Sequence, residues 1–328
     1  MMVPAMMWGM ALPMSAQNLI QRVDRILSTN YNKVKYDTVY ITRPRTKWTV
    51  TARMNVSGMA IESEGIDDGQ HFQSRSEANS KATLSMGVSY QGIALGLALN
   101  PAQLAGKYHD YELNLNSYRN KFGFDIIYQD AKNFKGRYEQ DDLGRIDLPD
   151  GLLKVQTLNV NAYYAFNGRR FSYPAAFSQS YIQRHSAGSL LLAASYMRQR
   201  TTLDWESLQV GDQWSGMEGQ QLKMTNIGLG AGYGYNYVPR QGWLLHLSAL
   251  PTLIVYSKTY QTVGDDRMTL RYHFPETIIT ARGAVVRNWG NKFLGLSMVY
   301  TYTNIGDKAE LAVENAKWRL RAFFGLRI

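Results

Sequence analysis

Several segments of this chain alternate between apolar and polar residues with a period of two. Between Lys47 and Ser57 the even positions are all apolar and the odd positions are all polar. Successive side chains of a β-strand point to opposite faces, so each segment predicts a strand with one apolar and one polar face. Further clear cases lie within residues 81–99, 157–164, 226–237 and 317–328. The alternation predicts an all-β fold.

Such strands suit two architectures that bury opposite faces. A soluble sandwich or barrel hides the apolar face in a core, whereas an outer-membrane barrel turns that face to lipid and keeps the polar face inside. Three features favour the membrane. The segments reach about 10 residues, the length of a tilted strand across a bilayer. Aromatic residues gather at segment ends, as in the belts at membrane surfaces, for example Trp48, Tyr90, Trp243 and Trp289.

The third feature is the alternation of connection lengths. Long or polar connections lie near residues 61–80, 100–110, 131–152, 200–223, 258–275 and 304–315. Short ones lie near residues 91–92, 119–121, 239–241 and 288–291. This pattern predicts a membrane-type antiparallel up-and-down β-barrel of about 12 strands, with both termini in the periplasm. The mean hydropathy of −0.32 excludes a bundle of membrane helices.

The N-terminus carries the signs of export. Residues 1–16 are predicted to be a signal peptide, although no Lys or Arg precedes Arg22; a buried helix is the alternative. Residues 17–46 form an N-terminal periplasmic segment and residues 47–328 the barrel. Within residues 18–28 the apolar positions share one helical face, which predicts a short amphipathic helix. We expect the protein in the outer membrane of a Gram-negative bacterium.

The polar strand faces carry more basic than acidic side chains, in a chain of net charge +10. A basic lumen attracts anions, and nucleic acid is not expected as a partner of an exported barrel. The alternative is that these side chains pair with loop carboxylates or with lipopolysaccharide phosphates. The lumen and anion-binding candidates are Lys47, Arg53, Lys81, Arg282, Lys317, Arg319, Arg321 and Arg327, set against Glu112 and Asp125.

One inner connection, residues 166–189, is long where a tight turn is expected. Burial of apolar area stabilises by about 25 cal/mol per Å², so its aromatic residues predict a plug or floor packed against the barrel. We expect its arginines to reach lumen carboxylates such as Asp125. A periplasmic flap held only by its ends is the alternative. The candidate plug residues are Arg169, Arg170, Phe171, Tyr173, Phe177, Tyr181 and Arg184.

No spacing in the sequence specifies catalysis. HExxH, GxSxG, Walker and Rossmann patterns are absent, and the histidines at 71, 109, 185, 246 and 273 are scattered. A Ser-His-Asp or Ser-His-Asn cluster at the outer rim would favour a lipid- or lipopolysaccharide-modifying enzyme. The pairs Asp141-Asp142 and Asp265-Asp266 supply too few ligands to predict Ca²⁺. We therefore predict no catalytic residues, no metal and no cofactor.

The inner connection also resembles a known family. The stretch from Phe166 to Phe177, followed by Gln183 to Ser189, resembles the central signature of an uncharacterised Bacteroidetes family, domain of unknown function 4421. The hairpin from Tyr118 to Asp125 and the turn from Ser89 to Gly92 are similar to it as well. The resemblance covers about residues 37–328 and implies an outer-membrane-type barrel without an assigned activity.

Two classes of function remain. The first is a pore, small-anion binder or structural barrel with a basic lumen; the second is the barrel enzyme. The partners expected in either case are outer-membrane lipid, lipopolysaccharide and the barrel-assembly machinery, with a small anionic solute in the first.

Overall fold

The computed structural model describes residues 35–67, 69–90, 93–99, 111–132, 134–141, 144–148, 151–203, 220–264 and 266–328. The predicted signal peptide and the predicted amphipathic helix lie outside these ranges. The strands are β1 Ile41–Thr42, β2 Trp48–Asp67, β3 Gln70–Ala78, β4 Lys81–Tyr90, β5 Ile93–Leu99, β6 Tyr111–Tyr118, β7 Phe122–Ala131, β8 Phe134–Gln140, β9 Gly144–Leu148, β10 Leu153–Ala165, β11 Ile182–Gln183, β12 Ala187–Leu203, β13 Gln221–Tyr237, β14 Trp243–Val263, β15 Asp266–Leu270, β16 Thr277–Trp289, β17 Lys292–Asp307 and β18 Leu311–Arg327. A short helix, α1, spans Tyr173–Phe177.

Twelve strands form the wall of an antiparallel barrel. Among the described residues, their hydrogen-bonded order runs β6-β7-β10-β12-β13-β14-β16-β17-β18-β2-β4-β5. The pairing of β18 with β2 joins the last wall strand to the first, as a closed barrel requires. The interior is narrow enough for Arg282 on β16 to reach Asp125 on β7, with 2.9 Å between Nη2 and Oδ2. The predicted fold class is confirmed.

Along each wall strand, side chains alternate between the barrel interior and its outer surface. On β14 the inward Leu244, His246 and Ser248 are buried, whereas the outward Leu247 is 72% exposed. Outward side chains of this kind cover the barrel with an apolar surface, as lipid requires. At the end where the short turns lie, here called the turn end, exposed aromatic residues form a belt that includes Trp48, Tyr164, Tyr235, Tyr237 and Trp289.

Several connections predicted as loops are strands instead, and these corrections lie at the opposite end, here called the loop end. The connection at residues 61–80 contains the end of β2 and all of β3, and β8 and β9 extend the same sheet. A cross-strand ion pair joins Arg75 on β3 to Glu62 on β2 at 2.9 Å, and Arg75 also lies 2.7 Å from Glu77 on its own strand. Charged residues occupy one face of this extension, with Glu62, Arg75 and Arg137 in register, and they interrupt the apolar alternation without ending the ladder.

The interior contains two apolar layers. The layer at the turn end combines wall residues with the chain between β10 and β12, residues 166–186, here called the inner segment. The layer at the loop end consists of wall residues such as Met59, Ile61, Val155 and Ile254, joined by Phe134 of β8. In the described part of the chain, no helix has the length and apolarity to cross a membrane.

Candidate functional site

A basic chamber lies in the barrel interior between the two apolar layers. Its cavity measures about 90 Å³, and Phe177 of α1 forms part of its lining. On β18 the odd positions face inward, so Lys317, Arg319 and Arg321 all line this cavity together with Arg282. A second cavity of about 70 Å³ continues the space toward the loop end, and Lys317 lines both.

One ion pair crosses the chamber. The Arg282 guanidinium donates to Asp125 at 2.9 Å, and both side chains are less than one-tenth exposed. The Tyr118 hydroxyl donates to the other carboxylate oxygen of Asp125. The Arg282 Cζ also lies 5.8 Å from the Tyr173 ring centroid, so this pair touches the inner segment. These contacts offset part of the cost of burying the pair, while Arg282 Nε has no hydrogen-bond partner among the described residues.

Two other cations of the chamber donate to neutral side chains on other strands. Arg321 donates to Asn55 Oδ1 at 2.7 Å, and Lys317 donates to Gln129. Arg321 also experiences the like charges of Arg319 and Arg53. Asp125 is the only carboxylate with a described side chain in the cavity lining. Four described cationic side chains, Arg282, Lys317, Arg319 and Arg321, line the cavity with this one carboxylate. The chamber therefore has a strongly positive potential.

The remaining lumen candidates lie elsewhere. Lys47 is exposed before β2 at the turn end, which corrects its assignment to the lumen. Lys81 is half-buried at the start of β4, opposite Ser57. Arg327 is buried beneath the inner segment, where it donates to the carbonyl of Gln179 at 3.3 Å.

The inner segment packs its aromatic residues into the barrel. Ser172 caps α1 by accepting from the Ala175 amide, and all five helical residues are buried. Phe171 and Tyr173 have no exposed surface, and the Tyr173 ring lies 4.5 Å from that of Tyr163 on β10. A Cβ on Gly234 would stand 3.0 Å from Phe171, so glycine in the wall leaves the room that this ring occupies.

A directed chain of hydrogen bonds joins the inner segment to the wall. The Asn236 amide nitrogen faces two acceptors, the Ser172 carbonyl and Gln183 Oε1, both at 2.9 Å. Its oxygen must then accept from His246 Nδ1, at 2.7 Å. In the neutral imidazole, Nε2 accepts from the Ser248 hydroxyl at 3.0 Å, and Ser248 accepts from Tyr173 at 2.8 Å. Every member of the chain therefore has a partner.

The expected role of the arginines in the inner segment is wrong. Arg169, Arg170 and Arg184 are exposed at the turn end and do not reach Asp125, which is held by Arg282. Arg170 instead lies 3.2 Å from Asp37. Guanidinium groups at this surface keep their hydration, whereas the chamber lining offers them only one described carboxylate.

The chain before the barrel clamps the inner segment from the turn end. β1 pairs with β11, with Ile41 opposite Gln183, and the Arg184 amide donates to the Tyr40 carbonyl at 2.7 Å. Arg43 donates to the Tyr181 hydroxyl and stacks on its ring. Burial raises the pKa of Tyr181, and the charge of Arg43 opposes that rise.

Sequence reasoning missed the cluster of Ser248, His246 and Asn236. His246 and Ser248 share the inward face of β14, and Asn236 is the register partner of His246 on β13. Aligning β13 with β14 across their short turn, and comparing the polar residues at inward positions, could have identified the cluster. It lies inside the barrel at the turn end, not at the outer rim. The described residues hold no group of three His, Asp or Glu that could bind a metal ion.

Comparison with known proteins assigns the chain to a family. Residues 35–327 match the model of the domain of unknown function DUF4421, and the chain belongs to that family. No curated protein matches the sequence.

Several solved structures of outer-membrane proteins are similar. The outer membrane protease OmpT of Escherichia coli is 8% identical with a TM-score of 0.49, covering 89% of this chain and 100% of its own. The translocator domain of the autotransporter NalP of Neisseria meningitidis is 11% identical with a TM-score of 0.30, covering 96% and 98%. OprG of Pseudomonas aeruginosa is 12% identical with a TM-score of 0.29, covering 86% and 96%.

Proposed function

We propose that this protein is a plugged outer-membrane barrel of a Gram-negative bacterium that binds a small anion in its basic chamber. The apolar outward face and the aromatic belt support the membrane setting. In this proposal the predicted signal peptide directs export, the turn end faces the periplasm, and lipopolysaccharide surrounds the loop end. Insertion by the barrel-assembly machinery follows from the same proposal.

The charge of the chamber is the observation that carries this function. Several cations share a cavity of about 90 Å³. A water molecule takes up about 30 Å³ of liquid volume, so the cavity suits a small oxyanion or a few waters. Buried like charges are costly unless they are compensated, and a bound anion supplies that compensation.

The two apolar layers lie on either side of the chamber and block a continuous channel through the barrel. The inner segment fills the turn end, and Phe177 forms one wall of the cavity. The loop-end layer lies on the other side. We therefore favour a binder whose inner segment serves as the plug over a permanently open pore.

Thermal unfolding in detergent tests the bound anion. A ligand that binds only the folded state adds about 2.7 kcal/mol of stability at a concentration 100 times its Kd. We expect phosphate or sulfate to raise Tm above the value in chloride at equal ionic strength. Arg321→Gln should abolish this rise, and Arg319→Gln should reduce it. Arg137→Gln, which removes an exposed charge on β8, is the matched control.

Planar-bilayer conductance tests the plug. The parent should conduct poorly, and a variant in which a Gly linker replaces residues 172–183 should conduct with anion selectivity. Adding Arg319→Glu and Arg321→Glu should shift that selectivity toward cations. High conductance of the parent, or selectivity that ignores the charge reversal, contradicts the proposal.

The Ser248 cluster favours a barrel enzyme as the second candidate. The hydroxyl, the imidazole and the Asn236 amide are spaced as a nucleophile, a base and an orienting group. All three side chains are buried and Tyr173 covers Ser248, so activity requires displacement of the inner segment. Labelling by a fluorophosphonate tests this candidate. Reaction of the variant lacking residues 172–183, lost on adding Ser248→Ala, would support an enzyme, and no reaction leaves the cluster as an anchor for the plug.

A further inference from the structure

Basic and aromatic side chains meet on the outer wall at the turn end. Trp243 on β14 lies opposite Arg287 on β16, and Trp289 lies opposite Lys292 on β17. These positions share the outward face, because Leu245 and Val285, two residues along their strands, are 40% and 41% exposed. We call the following five residues the turn-end patch: Trp243, Arg287, Trp289 and Lys292, together with Arg240 in the adjoining turn.

Both arginines of the turn-end patch are held against one ring. The Cζ atoms of Arg240 and Arg287 each lie 5.3 Å from the Trp243 ring centroid. Arg287 Nη1 donates to the Gln241 carbonyl at 2.9 Å, which fixes its guanidinium. Among the described residues, neither arginine forms an ion pair with a carboxylate. Stacking therefore brings two positive charges together without protein compensation.

The surrounding turn-end surface does not supply that compensation either. The connections at residues 35–47, 119–121, 166–186 and 238–242 contain ten Lys and Arg and one acidic side chain, Asp37. Asp37 is engaged by Arg170. Within the described residues of the turn end, no further carboxylate is available to pair with the turn-end patch.

We infer that the turn-end patch binds the phosphate of an anionic phospholipid in the surrounding leaflet. An exposed tryptophan marks the headgroup level of a membrane, and guanidinium groups match phosphate oxygens through two parallel hydrogen bonds. The apolar side chains of Leu245 and Val285 continue along the same wall toward the bilayer centre, where they meet the acyl chains of the lipid. That continuity favours a lipid over a soluble anion or an acidic protein. The inference does not depend on the basic chamber.

Retention of short-chain phosphatidylglycerol by the detergent-solubilised protein tests this site. A basic residue near an anionic membrane surface contributes about 1 kcal/mol, or roughly a fivefold change in binding. We expect Arg287→Gln and Arg240→Gln each to weaken retention about fivefold, and the double variant about 25-fold. Lys292→Gln gives a second readout that leaves the stacked arginines in place. Salt should weaken binding to the parent.

Arg267→Gln is the matched control, because Arg267 stacks on Tyr260 at 3.8 Å at the loop end. It should retain lipid like the parent. Equal retention by the double variant and the parent would overturn the inference, as would equal loss in the Arg267 control. Displacement of the lipid by inorganic phosphate at matched ionic strength would show a free-anion site instead. The chamber variant Arg321→Gln should retain lipid normally, so the two proposals fail independently.

Discussion

The two apolar layers of the barrel interior differ in how they are built. The loop-end layer consists mainly of inward positions of wall strands, such as Met197, Met224 and Ile254. The layer at the turn end depends on Phe171, Tyr173 and other residues of the inner segment, which are not part of any wall strand. The loop-end layer follows from the alternation of side chains along the wall strands. The turn-end layer depends on a separate segment that packs inside the wall.

This difference indicates where the barrel can open. Removal of the loop-end layer requires the wall strands themselves to separate, which breaks ladder hydrogen bonds. Withdrawal of the inner segment breaks the two-residue pairing of β1 with β11, the contacts of α1 and the hydrogen bonds around Asn236. Opening at the turn end therefore leaves the wall intact, and the following predictions test this contrast in order of expected effect.

The largest effect is expected for Phe171→Ala. Truncation of a buried Phe costs about 3–5 kcal/mol, because it removes apolar contacts and leaves a cavity. Phe171 has no exposed surface, whereas Phe166, at the start of the same segment, is 61% exposed. Phe166→Ala is therefore the matched control and should change the free energy of unfolding little. Equal effects of the two variants in denaturant titrations would contradict insertion of the inner segment.

Leu229→Arg tests the wall that both layers share. Leu229 faces outward on β13 and is 54% exposed. An arginine facing lipid near the bilayer midplane costs about 2–4 kcal/mol, but only about 0–1 near the interface. Tyr237→Arg, at the turn end of the same strand, should therefore cost less. Folding into vesicles, measured by the resistance of the folded protein to denaturation in gels, checks the difference. Similar losses for both variants would contradict the depth assignment.

The sequence predicts the wall well because alternation reports directly which face is apolar. The twelve-strand order follows from that pattern and from the short turns near residues 119–121, 239–241 and 288–291. The loop-end extensions were missed because their ion pairs, such as Arg75 with Glu62, replace the apolar signal. Strands that extend beyond the membrane do not contact lipid, so they do not need apolar side chains on their outward face.

The chamber was predicted in part. Lys317, Arg319 and Arg321 follow from the alternation of β18, and the structure brings them beside Arg282. The exposed position of Arg184 could not be predicted, because it depends on the pairing of β11 with β1. The Asn236 and His246 contact depends likewise on the register of β13 with β14, which alternation alone does not specify.

Asn236→Ala is expected to have an intermediate effect. It removes the donor to the Ser172 carbonyl and the acceptor of His246 Nδ1, and a buried unsatisfied polar group costs about 1–3 kcal/mol. Asn226 on the same strand is also buried, and its Oδ1 accepts from Ser257 at 2.8 Å in the loop-end half. Asn226→Ala should lower stability as well, but only Asn236→Ala should raise conductance. Raised conductance in both variants would contradict opening at the turn end alone.

Ile41→Val should have the smallest effect. Ile41 is fully buried in β1, and loss of one buried methylene costs about 0.5–1.5 kcal/mol. Because this strand holds the inner segment, the loosening should be local. Amide exchange should quicken at Arg184, which donates to Tyr40, and remain unchanged at Leu203, which donates to Gln220 at the loop end. Val39→Ala, at a position 58% exposed, serves as the control and should alter neither amide. Faster exchange at both ends would mean that the two layers unfold as one unit, and the contrast between them would then be lost.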